Sequence, residues 1–73
     1  MKLEEDIELL ESLFVELDPL VASGVLLEVY RQGERYVLLE TAPASGNRIL
    51  IFSSKDGGLV YAAFAQELDH LTE

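Results

Sequence analysis

Apolar and acidic residues recur with a helical period at the start of the chain. At about 100° per residue, Leu3, Ile7, Leu10, Leu13, Phe14 and Leu17 fall on one continuous arc. Glu4, Glu8, Glu11 and Asp18 fall on the opposite arc with Glu5 and Glu16 beside them, and only Asp6 and Val15 sit on the wrong side. The pattern predicts an amphipathic helix from about Leu3 to Leu17. Its early acids suit the positive end of the helix dipole. Asp18-Pro19 should end it, because a residue before proline is pushed out of the helical region.

A hairpin follows. The runs VLLEVYR and RYVLLET are rich in β-branched and aromatic residues and flank Gln32-Gly33, where glycine can take the positive φ of a tight turn. A two-residue loop there pairs Val29 with Tyr36 and Leu27 with Leu38. One face of the hairpin then carries Val25, Leu27, Val29, Tyr36 and Leu38, which is a core face. The other carries Leu26, Glu28, Tyr30, Arg35, Val37 and Leu39 and is half apolar, so a single covering helix would leave it wet. The loop APASGN, with Pro43 and Gly46, leads into a third strand from Arg48 to Ser53. Its run Ile49-Leu50-Ile51-Phe52 is apolar on both sides, as in a strand covered on both faces.

Two elements compete after Lys55-Asp56-Gly57-Gly58. A helix from about Leu59 to Leu71 groups Val60, Tyr61, Phe64, Leu68 and Leu71 on one side, with Gln66, Asp69 and His70 on the other. Alternatively Asp-Gly is a hairpin signal, and LVYAAF is a fourth strand. Ala62, Ala63 and Ala65 favour the helix on propensity. The expected fold is therefore a single small α+β domain over residues 1–73. Its order is α-β-β-β-α, with a three-stranded antiparallel meander packed by helices. The first helix covers one face, and the second covers the other face or the sheet edge.

Charge changes the picture at the two ends. The chain of 73 residues has a formal charge of -9, and seven of its first eighteen residues are acidic against Lys2 alone. Pro19 to Gly58 holds four acids and four bases and is neutral, and Glu67, Asp69 and Glu73 follow with no base. A concentrated field of one sign steers binding partners and repels nucleic acid and anionic membranes. An apolar share of 49% is too high for a disordered acidic tail. Without cysteine there is neither a disulfide framework nor a thiolate metal site, and the lack fits a reducing cytoplasm. The apolar runs are far too short to span a membrane. The start, MKLEEDIELL, is acidic where a secretory leader would be basic and then apolar. A soluble cytoplasmic protein with no membrane partner is the expectation.

Enzyme signatures are sparse, and no catalytic residue, metal site or cofactor is expected. His70 is the only histidine, and its neighbour Asp69 cannot face it on a helix, so it reads as solvated. Ser12, Ser23, Ser45, Ser53 and Ser54 lack a nucleophile elbow. A glycosidase-like carboxylate pair needs a cleft holding two carboxyls about 5–10 Å apart, which a domain of this size seldom forms. Glu4, Glu8 and Glu11 share one helix face, but a straight face does not gather the oxygens that calcium takes. Ala44-Ser45-Gly46-Asn47 and Asp56-Gly57-Gly58 are turn sequences rather than phosphate loops.

Three resemblances bear on function. The order α-β-β-β-α resembles a double-stranded-RNA-binding domain, but Leu59-Val60-Tyr61 stand where such domains carry basic residues. Direct nucleic-acid binding needs a basic footprint, so none is expected. Glu11-Ser12-Leu13 with LLET, RILIF and KDGG resembles the phage uracil-DNA glycosylase inhibitors, which are acidic DNA mimics. Here Glu11-Ser12 falls in the predicted helix, whereas that family has it on an edge strand. The helix, GVLLEVYRQGERYVLLETAP, SGNRILIFSS and a closing helix are similar to the first half of the acidic specialised chaperones of type III secretion. This chain ends where their later strands and last helix begin.

Two functions emerge as expectations. The first is a non-enzymatic inhibitor or antagonist of the DNA-mimic type, offering Glu4, Glu8, Glu11 and Glu16 to a protein partner with a basic, nucleic-acid-handling surface. Duplex DNA carries about one charge per 1.7 Å, and a helix rises about 1.5 Å per residue. Six or seven acids over fifteen residues therefore reach about half that density. The plainer account of the same acids is a solvated outer face. The second function is a dimeric specialised chaperone or adaptor that binds a partner's apolar segment through its sheet, with Tyr30 and Val37 on the docking face. The apolar sheet positions Leu26, Tyr30, Val37, Leu39, Ile49 and Ile51 predict exposed hydrophobic area, and with it self-association as a homodimer or an obligate partner.

Overall fold

The computed structural model describes residues 7–18, 20 and 23–72. The elements run β1 (Ile7–Asp18), β2 (Ser23–Gln32), β3 (Arg35–Ala42), β4 (Asn47–Ser54) and α1 (Gly57–Thr72). The strands form one antiparallel sheet in the order β1-β2-β3-β4. α1 packs on one face of that sheet. The expected α-β-β-β-α order with three strands is thus overturned: the order is β-β-β-β-α, with four strands.

The correction lies in the first segment, where the described part of the predicted helix is β1. Residues 3–6 of that helix fall outside the described residues. Bulges account for the misleading period. The β1–β2 register breaks between Leu9 and Glu11 and again between Glu16 and Asp18, which leaves Leu10 and Leu17 as extra residues. An extra residue shifts the alternation by one. Ile7, Leu9 and Phe14 therefore share one face, while Leu10, Leu13 and Val15 share the other. A strand that changes phase in this way spaces its apolar residues by three and four, as a helix does. Val15, the apolar residue that fits the helical arc worst, is the one β1 residue that is buried, at 5% exposure. Asp18 still ends the element, and its Oδ1 accepts a hydrogen bond from the Leu20 N–H at 3.0 Å.

The second hairpin turns at Gly33-Glu34, with Gly33 at φ 62°. Val29 pairs with Leu38 and Leu27 with Glu40, each two residues beyond the predicted partner. An even shift leaves the faces unchanged, so the predicted core face of Val25, Leu27, Val29, Tyr36 and Leu38 forms as such. A further register break between β3 and β4 makes Ile51 the extra residue of β4, and it packs against Val29, Leu38 and Val60.

Asp56 decides between the two readings of the last segment in favour of the helix. Its Oδ1 accepts the Gly58 N–H at 2.9 Å and its carbonyl accepts the Leu59 N–H at 3.1 Å, which is N-cap geometry. From there Val60 enters the core at Val29 and Leu38, while Phe64, Leu68 and Leu71 cover Val15, Val25 and Leu27. Phe64 touches both clusters and joins them. Tyr61, grouped with these residues by sequence, is exposed. α1 covers one face of the sheet, and no described helix covers the other.

Candidate protein-binding face

Cross-strand pairing fixes what the uncovered face presents, because paired residues share a face. Three rows run across the sheet. The central one is Ser12, Glu28, Leu39 and Leu50. On one side lie Phe14, Leu26, Thr41 and Arg48, and on the other Leu9, Tyr30, Val37 and Ser53. Ile7, Gln32 and Arg35 extend the face at one end, and Glu16 and Gly24 at the other. Gly24 is a close-approach position: a Cβ there would lie 2.4 Å from Phe14 Cζ, so the aromatic ring rests directly over the glycine. Two shallow depressions indent the molecule, one lined by Ile7, Tyr30, Gln32, Val37, Leu39 and Arg48, the other by residues that include Phe14, Leu17 and Gly24.

A polar knot ties down the middle of the face. The Tyr30 hydroxyl donates to Glu28 Oε2 at 2.9 Å, and Arg48 Nη2 stands 3.5 Å from Glu28 Oε1. The Glu28 side chain is only 12% exposed, so this carboxylate leaves water with its partners already in place. Burial and then the Glu28 carboxylate push the Tyr30 hydroxyl above its ordinary pKa, and Arg48 pulls part of the way back. At the near end Arg35 Nε donates to Ser53 Oγ at 3.1 Å. Among the described residues the charged groups of the face are thus Glu16 and Glu28 against Arg35 and Arg48, a zero sum on a chain of -9.

Of the residues singled out by sequence, Tyr30 and Val37 are brought together as a cross-strand pair in the middle of this face. The acids are brought together only in part. Glu4 lies outside the described residues, Glu11 pairs with Val29 on the helix side, and Glu16 opposes Gly24 on the open side. Glu8 is held by Arg31, whose Nη2 and Nε reach its Oε1 at 2.8 and 3.2 Å. Glu8 and Glu11 share the helix side, but Glu16 points to the opposite face, so the row predicted for Glu4, Glu8, Glu11 and Glu16 is divided. Sequence reasoning missed Phe14, which the helical assignment had turned inward, and Leu9, which it placed on neither arc. It also missed the Glu28–Arg48 pair, which joins strands that are not neighbours.

The covered side holds one further feature. Glu40 faces α1, and its Oε1 is buried without a hydrogen-bond partner. The neighbouring Glu67 carboxyl pushes its pKa up, burial adds to this, and His70 opposes both. Two ionised carboxylates only accept, so this pair makes a hydrogen bond only when one of them holds a proton. Among the described residues no group of three His, Cys, Asp or Glu side chains is placed to hold a metal ion, and no helix is long and apolar enough to cross a membrane. The chain matches no protein-family model, no curated protein and no solved structure.

Proposed function

We propose that this chain is a non-enzymatic protein-binding domain that docks an apolar surface on the uncovered face of its sheet. The observation behind this is the solvation of that face: Leu9 and Phe14 are each 51% exposed and Leu50 is 59% exposed. On a small protein, sizeable exposed apolar patches mark interaction sites. The adaptor or chaperone reading uses this surface directly. The acidic-inhibitor reading depends on a row of carboxylates that β1 splits between two faces and that Arg31 partly neutralises. A cysteine-free chain of this kind suits a reducing cytoplasm.

Light scattering coupled to size exclusion, read beside hydrophobic-dye fluorescence, tests the proposal. The protein should either associate or bind dye, and the behaviour should persist when salt is raised to about 1 M, where surface charge is screened within about 3 Å. Association that disappears with salt would favour the acidic inhibitor. A strict monomer that binds no dye rules out the apolar face as a working surface.

A further inference from the structure

Building on that use of the open face, we propose that its occupant is a second copy of this chain, stacked face to face into a two-fold sandwich with the helices outside. Three observations point to a copy. The first is the core. Among the described residues only Val15, Val25, Leu27, Val29, Leu38 and Val60 are buried apolar side chains. Small domains bury too little surface to have stability to spare. A chain that draws part of its stability from a cover needs that cover whenever it is made, and its own copy is always present.

The second observation is charge. Two molecules of -9 repel wherever their acids meet, and the acids are abundant outside this face. Among the described residues of the open face Glu16 and Glu28 are balanced by Arg35 and Arg48, and Glu28 is already bonded to Tyr30 and Arg48. Two copies can therefore approach here with less repulsion than across the acidic surfaces, and the Glu28 carboxylate keeps its partners when water leaves. The third is size and symmetry. The molecule measures 45 × 24 × 15 Å, so its broad face offers on the order of 1,000 Å², against about 800 Å² per partner in a standard interface. The Phe14–Leu26 and Leu9–Tyr30 rows flank the central row on opposite sides. A two-fold axis across the strands lays one apolar row on the other, which is the self-complementarity an isologous dimer requires. Stacked sheets pack about 10 Å apart, close enough for these side chains to interdigitate.

The test is sedimentation equilibrium on the intact chain and on three variants, with dye fluorescence and urea unfolding alongside. Phe14→Glu and Leu50→Glu alter half-exposed residues at opposite edges of the face, and Leu59→Glu alters an exposed apolar residue of α1 as a control. The wild type should have twice the chain mass of 8.1 kDa. Its urea midpoint should rise with protein concentration, because dimer stability follows mass action. Phe14→Glu and Leu50→Glu should each weaken association by about 100-fold or more, and Leu59→Glu should leave it unchanged. A dimer broken by only one of the two edge variants is an edge contact and overturns the sandwich, as does a dimer that neither variant breaks. A urea midpoint that stays constant over a wide concentration range also overturns it. A monomer that binds dye removes the second copy but leaves the apolar face intact as a docking surface, while a monomer that binds none removes both.

Discussion

The two faces of this sheet both carry large apolar residues from the same strands, and α1 lies over only one of them. On β2, Val25, Leu27 and Val29 are buried beneath α1, while the intervening Leu26 and Tyr30 remain half-exposed. On β3, Leu38 is buried, and Val37 and Leu39 on either side are not. Composition therefore specifies two core-grade faces, and the described chain supplies one cover. A soluble antiparallel sheet with one wet face normally makes that face polar. This one does not, and the excess of apolar residues is the reason to look for a second layer.

The sharpest way to break the comparison is to truncate neighbouring leucines on opposite faces. Leu27→Ala should cost about 2–5 kcal/mol, because its side chain is fully enclosed and leaves a cavity. Leu26→Ala, one residue away, should cost less than about 1.5 kcal/mol in dilute solution, where only partial burial is lost. Urea unfolding of the two variants at matched low concentration decides the matter. Equal losses would show that the open face is as well covered as the other, even in dilute solution.

A smaller effect is expected where the open face meets the backbone. A Cβ at position 24 would stand 2.4 Å from Phe14 Cζ and 2.5 Å from the Val15 carbonyl oxygen. The ring can swing away, but the carbonyl belongs to the β1–β2 ladder and cannot. Gly24→Ala should therefore destabilise by about 1–3 kcal/mol, the usual cost of overpacking, and should move the Phe14 ring resonances by NMR. A stable variant with unmoved Phe14 resonances would show that β1 is not seated on β2 in this register.

These contrasts also show which parts of the structure sequence could reveal. The β2–β3 hairpin, its two faces and the placing of Tyr30 and Val37 on the open one were legible, because strict alternation and a glycine turn specify face content even when the register moves by two. The C-terminal helix was legible as one of two alternatives, and Asp56 settles it by capping. β1 was not legible. Its bulges at Leu10 and Leu17 convert a period of two into spacings of three and four, and its acids strengthened the impression of an amphipathic helix. The visible sign was Val15, a β-branched residue stranded on the polar arc. Neither the Glu28–Arg48 pair nor the Glu40–Glu67 pair could be read from spacing, since each joins elements whose packing is set by the whole sheet.

The smallest expected effect concerns the covered face, where Glu40 of β3 meets Glu67 of α1. The Glu67 carboxyl, and then burial, raise the Glu40 pKa in the folded chain, with His70 opposing, and no other charged group from β2 or β4 pairs with Glu40 in its row of Leu27 and Ile49. A carboxyl whose folded pKa lies above its unfolded value adds stability that is fully present below the unfolded pKa of about 4.3. That stability is lost as pH rises through the raised folded value. The buried Glu40 Oε1 has no hydrogen-bond donor. Glu40→Gln supplies an amide donor and removes one charge, so it should stabilise the protein at pH 7 by a few tenths to about 1 kcal/mol, the range of partly solvated pairs. The advantage should shrink as pH falls through the raised folded value of Glu40. Because many other acids titrate in the same window, the informative quantity is the difference between variant and wild type in urea at each pH. A difference that stays constant from pH 4 to 7 would mean that Glu40 and Glu67 do not share a proton, and that α1 sits on this face with no penalty from its acids.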